Sequence, residues 1–189
     1  MIGSFRIVNV VASTNVQGKI DIEKLAVALK QANYEPEVFG GLVYRRQNPK
    51  ATLIMFASGK ITSVGTKSEN QARKAIRTTV QEMKELGGLI GSNKLNSINT
   101  ENVVCTLELG SGIDLTKLTI MLPNSLYKPE QFPGLIYRPL GGKEVVLIFT
   151  SGKLIVTGAK SELRARQLLK EVYETISGAK SGRLRWDIE

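Results

Sequence analysis

Residues 53 to 57 form a continuous apolar run, and an extended chain sends its successive side chains to opposite sides. Thr52, Ile54 and Phe56 fall on one side of an extended chain, and Leu53 and Met55 fall on the other. Further on, Val145, Leu147 and Phe149 oppose Val146 and Ile148 in the same way. The pattern predicts short strands around 38–46, 51–57 and 60–66, separated by the turn signals "NP" at 48–49 and "SGK" at 58–60. Before them, "FRIVNVVAST" opens with β-branched residues and reads as a strand. "IDIEKLAVALKQAN" reads as a helix capped by Asp21, with Ile22, Leu25, Ala26 and Leu29 at helical spacing. A second, longer helix is expected from Ser68, ending at the glycines of 87–88. Both faces of the central strands are apolar. Two helices cover one face, and no element remains for the other. A second sheet or a second copy of the chain would hide it; left open, it is a binding surface.

The whole pattern occurs twice. An offset of 93 residues pairs Asn9 with Asn102, Asp21 with Asp114, Tyr34 with Tyr127 and Pro36 with Pro129. It also pairs Phe39 with Phe132, Gly41 with Gly134, Arg45 with Arg138, Phe56 with Phe149 and Gly65 with Gly158. "KSE" at 67–69 returns at 160–162, and no insertion interrupts the register. In the second copy "GGK" at 141–143 is the expected hairpin turn, and "SELRARQLLKEVYETI" the long helix. Two tandem copies joined near "GGLIGSNK" at 87–94 predict a pseudo-twofold molecule. The expected divisions are a repeat over 1–92, a repeat over 93–182 and a basic tail over 183–189.

Charge points to the partner. Lys and Arg number 26 against 17 Asp and Glu, a net charge of +9 and a pI near 9.7, which favours a polyanion. There is no histidine and only one cysteine, Cys105. That removes the commonest general base, internal disulfides, zinc sites and Cys-His or Ser-His nucleophile pairs. No cofactor or metal is expected. No apolar run is long enough to span a membrane, and the start of the chain lacks the marks of a secretory signal.

Some motifs are decoys. "SGK" lacks the rest of a phosphate-binding loop, and "GSGIDL" at 110–115 has Leu115 where a dinucleotide fingerprint needs glycine. Glu35, Glu37 and Glu130 read as loop charges rather than an acid–base pair. Met55 and Met121 read as core or loop residues, and the tail "SGRLRWDIE" with Trp186 fits no pattern at this level.

Laid over each other, "YEPEVFGGLVYR" with "IMFASGKITSVGTKSE" and "YKPEQFPGLIYR" with "LIFTSGKLIVTGAKSE" resemble the TATA-box-binding protein family, over about residues 3 to 180. The resemblance implies an α+β fold. Two tandem pseudo-symmetric repeats form a saddle-shaped, strongly curved ten-stranded antiparallel sheet, with four helices on the convex face. It implies that the concave face lies on the DNA minor groove and that the duplex is kinked. The ~80° kink and the wedging of apolar side chains between base steps are the family's own known behaviour, not deductions from these residues.

Residue by residue, Phe39, Phe56, Phe132 and Phe149 match the wedges. Asn9 and Asn102 match the central minor-groove donors, and Val11, Val104, Ile54, Leu147, Ile155 and Thr157 match the apolar floor. Arg45, Arg138, Lys60, Lys153, Lys67 and Lys160 match or adjoin phosphate-facing positions. Thr62 and Val64 also face the groove, but they invert the order of Ile155 and Thr157 in the second copy. Lys128, beside Glu130, stands in a stirrup that is usually acidic in the family and holds transcription factor IIB. Partner binding is expected at these two residues, with other initiation factors and the RNA polymerase assembly as further partners.

The expected function is a general transcription initiation factor without catalysis, which binds and bends A·T-rich promoter DNA. A diverged paralogue acting mainly as a protein-interaction module is the alternative, and an enzyme of the same fold is disfavoured for want of a catalytic constellation. The high pI, "KSENQARKAIR" and the lack of an acidic tail lean towards a eukaryotic, nuclear member. An archaeal member would work in the cytoplasm or nucleoid.

Overall fold

A computed structural model describes residues 4–87 and 95–178. The expected joint at 87–94, apart from Gly87, and the tail at 183–189 with Trp186 lie outside the described residues. The chain divides into two compact units, Asn9–Glu101 and Met1–Val8 with Asn102–Glu189, here the first and second unit.

The first unit holds β1 (Ser4–Asn15, entering it at Asn9), α1 (Ile22–Ala28), β2 (Ala32–Asn33), β3 (Leu42–Gln47), β4 (Lys50–Met55), β5 (Lys60–Thr66) and α2 (Glu69–Glu85). The second holds β6 (Asn99–Glu108, from Asn102), α3 (Leu115–Met121), β7 (Ser125–Leu126), β8 (Leu135–Tyr137), β9 (Val145–Ile148), β10 (Lys153–Ala159) and α4 (Glu162–Ser177). All ten strands belong to one antiparallel sheet, ordered β2-β3-β4-β5-β1 in the first unit and β6-β10-β9-β8-β7 in the second. The expected ten strands and four helices are present.

Each helix starts where a capping side chain offers an oxygen to an otherwise unpaired N–H. Asp21 accepts from the Lys24 N–H at 3.2 Å and Asp114 from Lys117 at 3.1 Å. Ser68 accepts from Gln71, and Ser161 from Arg164, each at 3.1 Å. The first helix is shorter than its periodicity predicts. The Leu29 N–H closes the last turn on the Leu25 carbonyl, and Gln31 then adopts a positive φ of 71° that leads into β2. The strand expected from 38 begins only at Leu42. Residues before it are taken up in a turn, where the N–H groups of Val38 and Phe39 both donate to the Glu35 carbonyl.

Strand parity then decides what is inside. Leu53, Met55 and Ile61 are fully buried beneath α2, which contributes Ala72, Ala75, Ile76, Val80 and Met83. In the second unit Val146, Ile148, Leu154 and Val156 meet the buried Ala165, Leu168, Leu169 and Val172 of α4. Full burial of one such aliphatic side chain is worth about 1.5–3 kcal/mol, so these layers dominate the stability of each unit. Within each unit the long helix covers one face of its strands. The alternate residues remain half-buried, as the parity of the sequence required.

Candidate nucleic-acid interface

On the face opposite the helices, side chains of matching parity line up across the strands. In the first unit one row runs Val43, Ile54, Thr62, Ser13 through direct cross-strand pairs. In the second unit the row is Ile136, Leu147, Ile155, Thr106. A neighbouring row contains Arg45, Thr52 and Val64, answered in the second unit by Val145 and Thr157. Thr62 and Val64 thus share the open face, as do Ile155 and Thr157. Val11 and Val104 are half-buried on the central strands.

A pair of phenylalanines lies beside each row, with Phe56 and Phe149 two residues beyond Ile54 and Leu147 and just past the ends of β4 and β9. The Phe39 and Phe56 rings meet edge to face with centroids 5.8 Å apart, and Phe132 and Phe149 repeat the arrangement at 5.8 Å. Phe39 remains 44% exposed, a large apolar ring open to solvent on the side away from Phe56. Each pair sits over a glycine. A Cβ on Gly41 would lie 2.6 Å from a Phe39 ring carbon, and one on Gly134 would lie 2.9 Å from a Phe132 ring carbon. The backbone holds these turns in place. Phe39 donates to the Glu35 carbonyl at 2.8 Å and Phe132 to the Lys128 carbonyl at 3.0 Å. Lys128 and Glu130 are exposed on the wedge-bearing turn of the second unit.

The central asparagines are oriented by glycines. Asn9 Oδ1 accepts the Gly65 N–H at 2.8 Å, and Asn102 Oδ1 accepts the Gly158 N–H at 2.7 Å. Both glycines have positive φ, 89° and 87°, beside irregularities of strand register. A backbone N–H can only donate, so the amide oxygen must face it and the –NH₂ group points elsewhere as a donor.

Cations flank the apolar rows. Lys60 and Lys153 open β5 and β10 in the same parity as Thr62 and Ile155, while Arg45 shares its row with Thr52. Arg138 follows β8, and all four are exposed. Lys67 and Lys160 lie beyond the strand ends, beside the caps Ser68 and Ser161. One acid adjoins the first row, with Glu101 Oε1 accepting from Ser13 Oγ at 2.7 Å. Cys105 is buried, and burial pushes its thiol up to about 12. Among the described residues no group of three His, Cys, Asp or Glu could hold a metal.

Residues 4–86 and 97–179 each match the family described as "Transcription factor TFIID (or TATA-binding protein, TBP)". The chain belongs to the TATA-binding protein family. The TATA-box-binding protein of Methanocaldococcus jannaschii is 44% identical over 171 residues, covering 90% of this chain and 92% of that one. The Archaeoglobus fulgidus protein of that name is 40% identical over 173 residues, covering 90% and 93%. The Haloarcula marismortui protein is 39% identical over 176 residues, covering 92% and 94%. The solved structure of Methanococcus jannaschii TBP superposes with a TM-score of 0.79 at 43% identity, over 93% of this chain and 99% of that one. These relatives are archaeal, so the expectation of a nuclear member is not supported. The high pI, "KSENQARKAIR" and the lack of an acidic tail do not distinguish the two lineages.

Several residues of these rows escaped the reading of the sequence. Val43, Ile136, Ser13 and Thr106 complete the rows, and parity together with the 93-residue offset was signal enough to find them. The glycine supports of the phenylalanines and asparagines were visible only as repeated glycines.

Proposed function

We propose that the chain is a transcription initiation factor that binds TATA-type promoter DNA. Each open face meets the minor groove of one half-site, and the paired phenylalanines wedge between base steps to bend the duplex. The observation that carries this reading is the duplicated open face: an apolar row, an asparagine fixed by a glycine N–H and an edge-to-face phenylalanine pair beside the row.

An apolar floor suits A·T pairs, because the guanine amino group in the minor groove would be pressed against it without a partner. Asn9 and Asn102 offer –NH₂ donors to adenine N3 or thymine O2. Thr62 and Thr157 place hydroxyls at different rows in the two units, which makes the half-sites chemically unequal. Lys60, Lys153, Arg45, Arg138, Lys67 and Lys160 take phosphates and fix position without reading sequence. The turn with Lys128 and Glu130 offers a contact for a factor IIB-type protein, and through it for assembly of the preinitiation complex. Archaeal relatives favour a place of action in the cytoplasm or nucleoid.

A gel shift tests the reading. Tight binding to a TATA-containing duplex, weak binding to its G·C-substituted counterpart and a steep loss with salt are expected. Equal binding to both duplexes, or affinity indifferent to salt, overturns it.

A further inference from the structure

We propose that Ser13, held by Glu101, is a hydrogen-bond acceptor on the first unit's open face, so that one base pair of the site is read as G·C. The proposal rests on the reading above, in which that face meets the minor groove.

Ser13 ends the row Val43, Ile54, Thr62 on β1, the last strand of the first unit in the sheet order. A serine hydroxyl has one proton to donate and two lone pairs. A hydroxyl with its proton at liberty would turn it towards adenine N3 or thymine O2, the acceptors that A·T pairs show in the minor groove. Here the proton is already committed. Ser13 Oγ lies 2.7 Å from Glu101 Oε1, and a carboxylate, ionised at neutral pH, can only accept. The hydroxyl is therefore the donor in this pair, and what Ser13 Oγ has left for the groove is a lone pair.

An acceptor pressed against N3 or O2 meets another acceptor, and neither regains the hydrogen bond it made to water. One group in the minor groove answers it. The 2-amino group of guanine is the donor that a G·C pair adds there. Over Val43 and Ile54 that amino group is left without a partner. At Ser13 it has a partner and also room, since Ser13, Lys60 and Glu101 border a polar cleft of about 540 Å³ with Asn15 and Asn99. Donating to a carboxylate polarises the hydroxyl and makes its oxygen a better acceptor.

The second unit is built differently. The 93-residue offset maps Ser13 to Thr106, which ends the row Ile136, Leu147, Ile155 on β6. It maps Glu101 to Val8, an apolar side chain 41% exposed that accepts no hydrogen bond. The Val8 position thus leaves the Thr106 proton for an A·T pair, and the guanine is confined to the half-site of the first unit.

The test uses TATA duplexes in which each A·T pair in turn is replaced by G·C or by inosine·cytosine. These two pairs present the same minor groove except for the guanine 2-amino group. Anisotropy titrations should find one position where the unmodified protein binds G·C about 3- to 10-fold more tightly than inosine·cytosine. Over the apolar rows G·C should bind about 5-fold or more weakly. Glu101→Val, which installs the second unit's residue and frees the Ser13 proton, should reverse the ratio at that one position. Ser13→Ala should abolish the advantage there. A merely structural fault would weaken every duplex alike and leave the ratio standing. A guanine advantage that survives both substitutions overturns the proposal. A protein that prefers the TATA duplex but is hindered by the amino group at every position overturns it alone. Equal binding to the TATA duplex and a fully G·C-substituted one overturns the reading beneath it as well.

Discussion

The Asn9 carboxamide and the Gly65 backbone, 56 positions apart in the chain, are joined by a 2.8 Å hydrogen bond that turns the amide nitrogen away from the bulge. Asn102 and Gly158 repeat the relationship at 2.7 Å. Asn9→Asp preserves the acceptor for Gly65 and replaces the free donor by an anionic oxygen. Affinity for a TATA duplex should fall about 10- to 100-fold, or ~1.4–2.8 kcal/mol, as expected for losing a donor and desolvating a charge. Thermal denaturation should stay within a few degrees of the parent. Anisotropy titrations showing unchanged affinity would remove the asparagine from the interface.

The phenylalanine pairs rest on glycines, which gives a way to disturb them without deleting a ring. Gly41→Ala places a carbon 2.6 Å from the Phe39 ring, and Gly134→Ala does so 2.9 Å from Phe132. Each ring must shift, so each substitution should reduce the bend measured by energy transfer on end-labelled DNA. Phe39→Ala with Phe56→Ala should do so more strongly. A bend unaffected by all of these substitutions would mean that the rings do not wedge.

Ser63 is fully buried beneath the helices, and its Oγ has no hydrogen-bond partner. The second copy has Val156 at this place, also fully buried. Removing an unsatisfied buried hydroxyl recovers about 1–3 kcal/mol, less any strain of the added methyl. Ser63→Val should therefore raise the denaturant midpoint by an amount equivalent to ~1 kcal/mol. A lower midpoint would show that the hydroxyl is satisfied in solution.

Glu144 and Arg164 join the start of β9 to α4 through a 3.0 Å ion pair. The Glu144 carboxyl is held below its ordinary range, first by its own backbone N–H and then by Arg164. A group lowered by folding contributes stability above its unfolded value near 4.3 and loses it as pH falls through the lower, folded one. Denaturation curves between about pH 5 and pH 3 should be less pH-dependent for Glu144→Gln than for the parent. Equal slopes would remove this pair from the acid response.

Much of this was written in local pattern. Strand parity at 52–56 divided the side chains between two faces, Asp21 and Ser68 announced their helices, and the 93-residue offset marked the two phenylalanine pairs. What depended on distant partners was not legible. Nothing near Asn9 names Gly65, and Arg46 gives no sign that it sits only 9% exposed with its guanidinium 2.6 Å from Glu82. The extended stretch expected before Leu42 failed because Pro36 and the glycines at 40–41 favour a turn, which β-branched Val38 does not overrule.

The central claim is that the open face reads the minor groove, and replacing A·T pairs with inosine·cytosine pairs tests it most directly. Inosine lacks the guanine 2-amino group, so such a duplex shows the minor groove of A·T and the major groove of G·C. Anisotropy titrations should give similar affinities for the A·T and inosine·cytosine duplexes and a far weaker one for G·C. An inosine·cytosine duplex bound as weakly as G·C would contradict the account, because the sequence would then be read from the major groove.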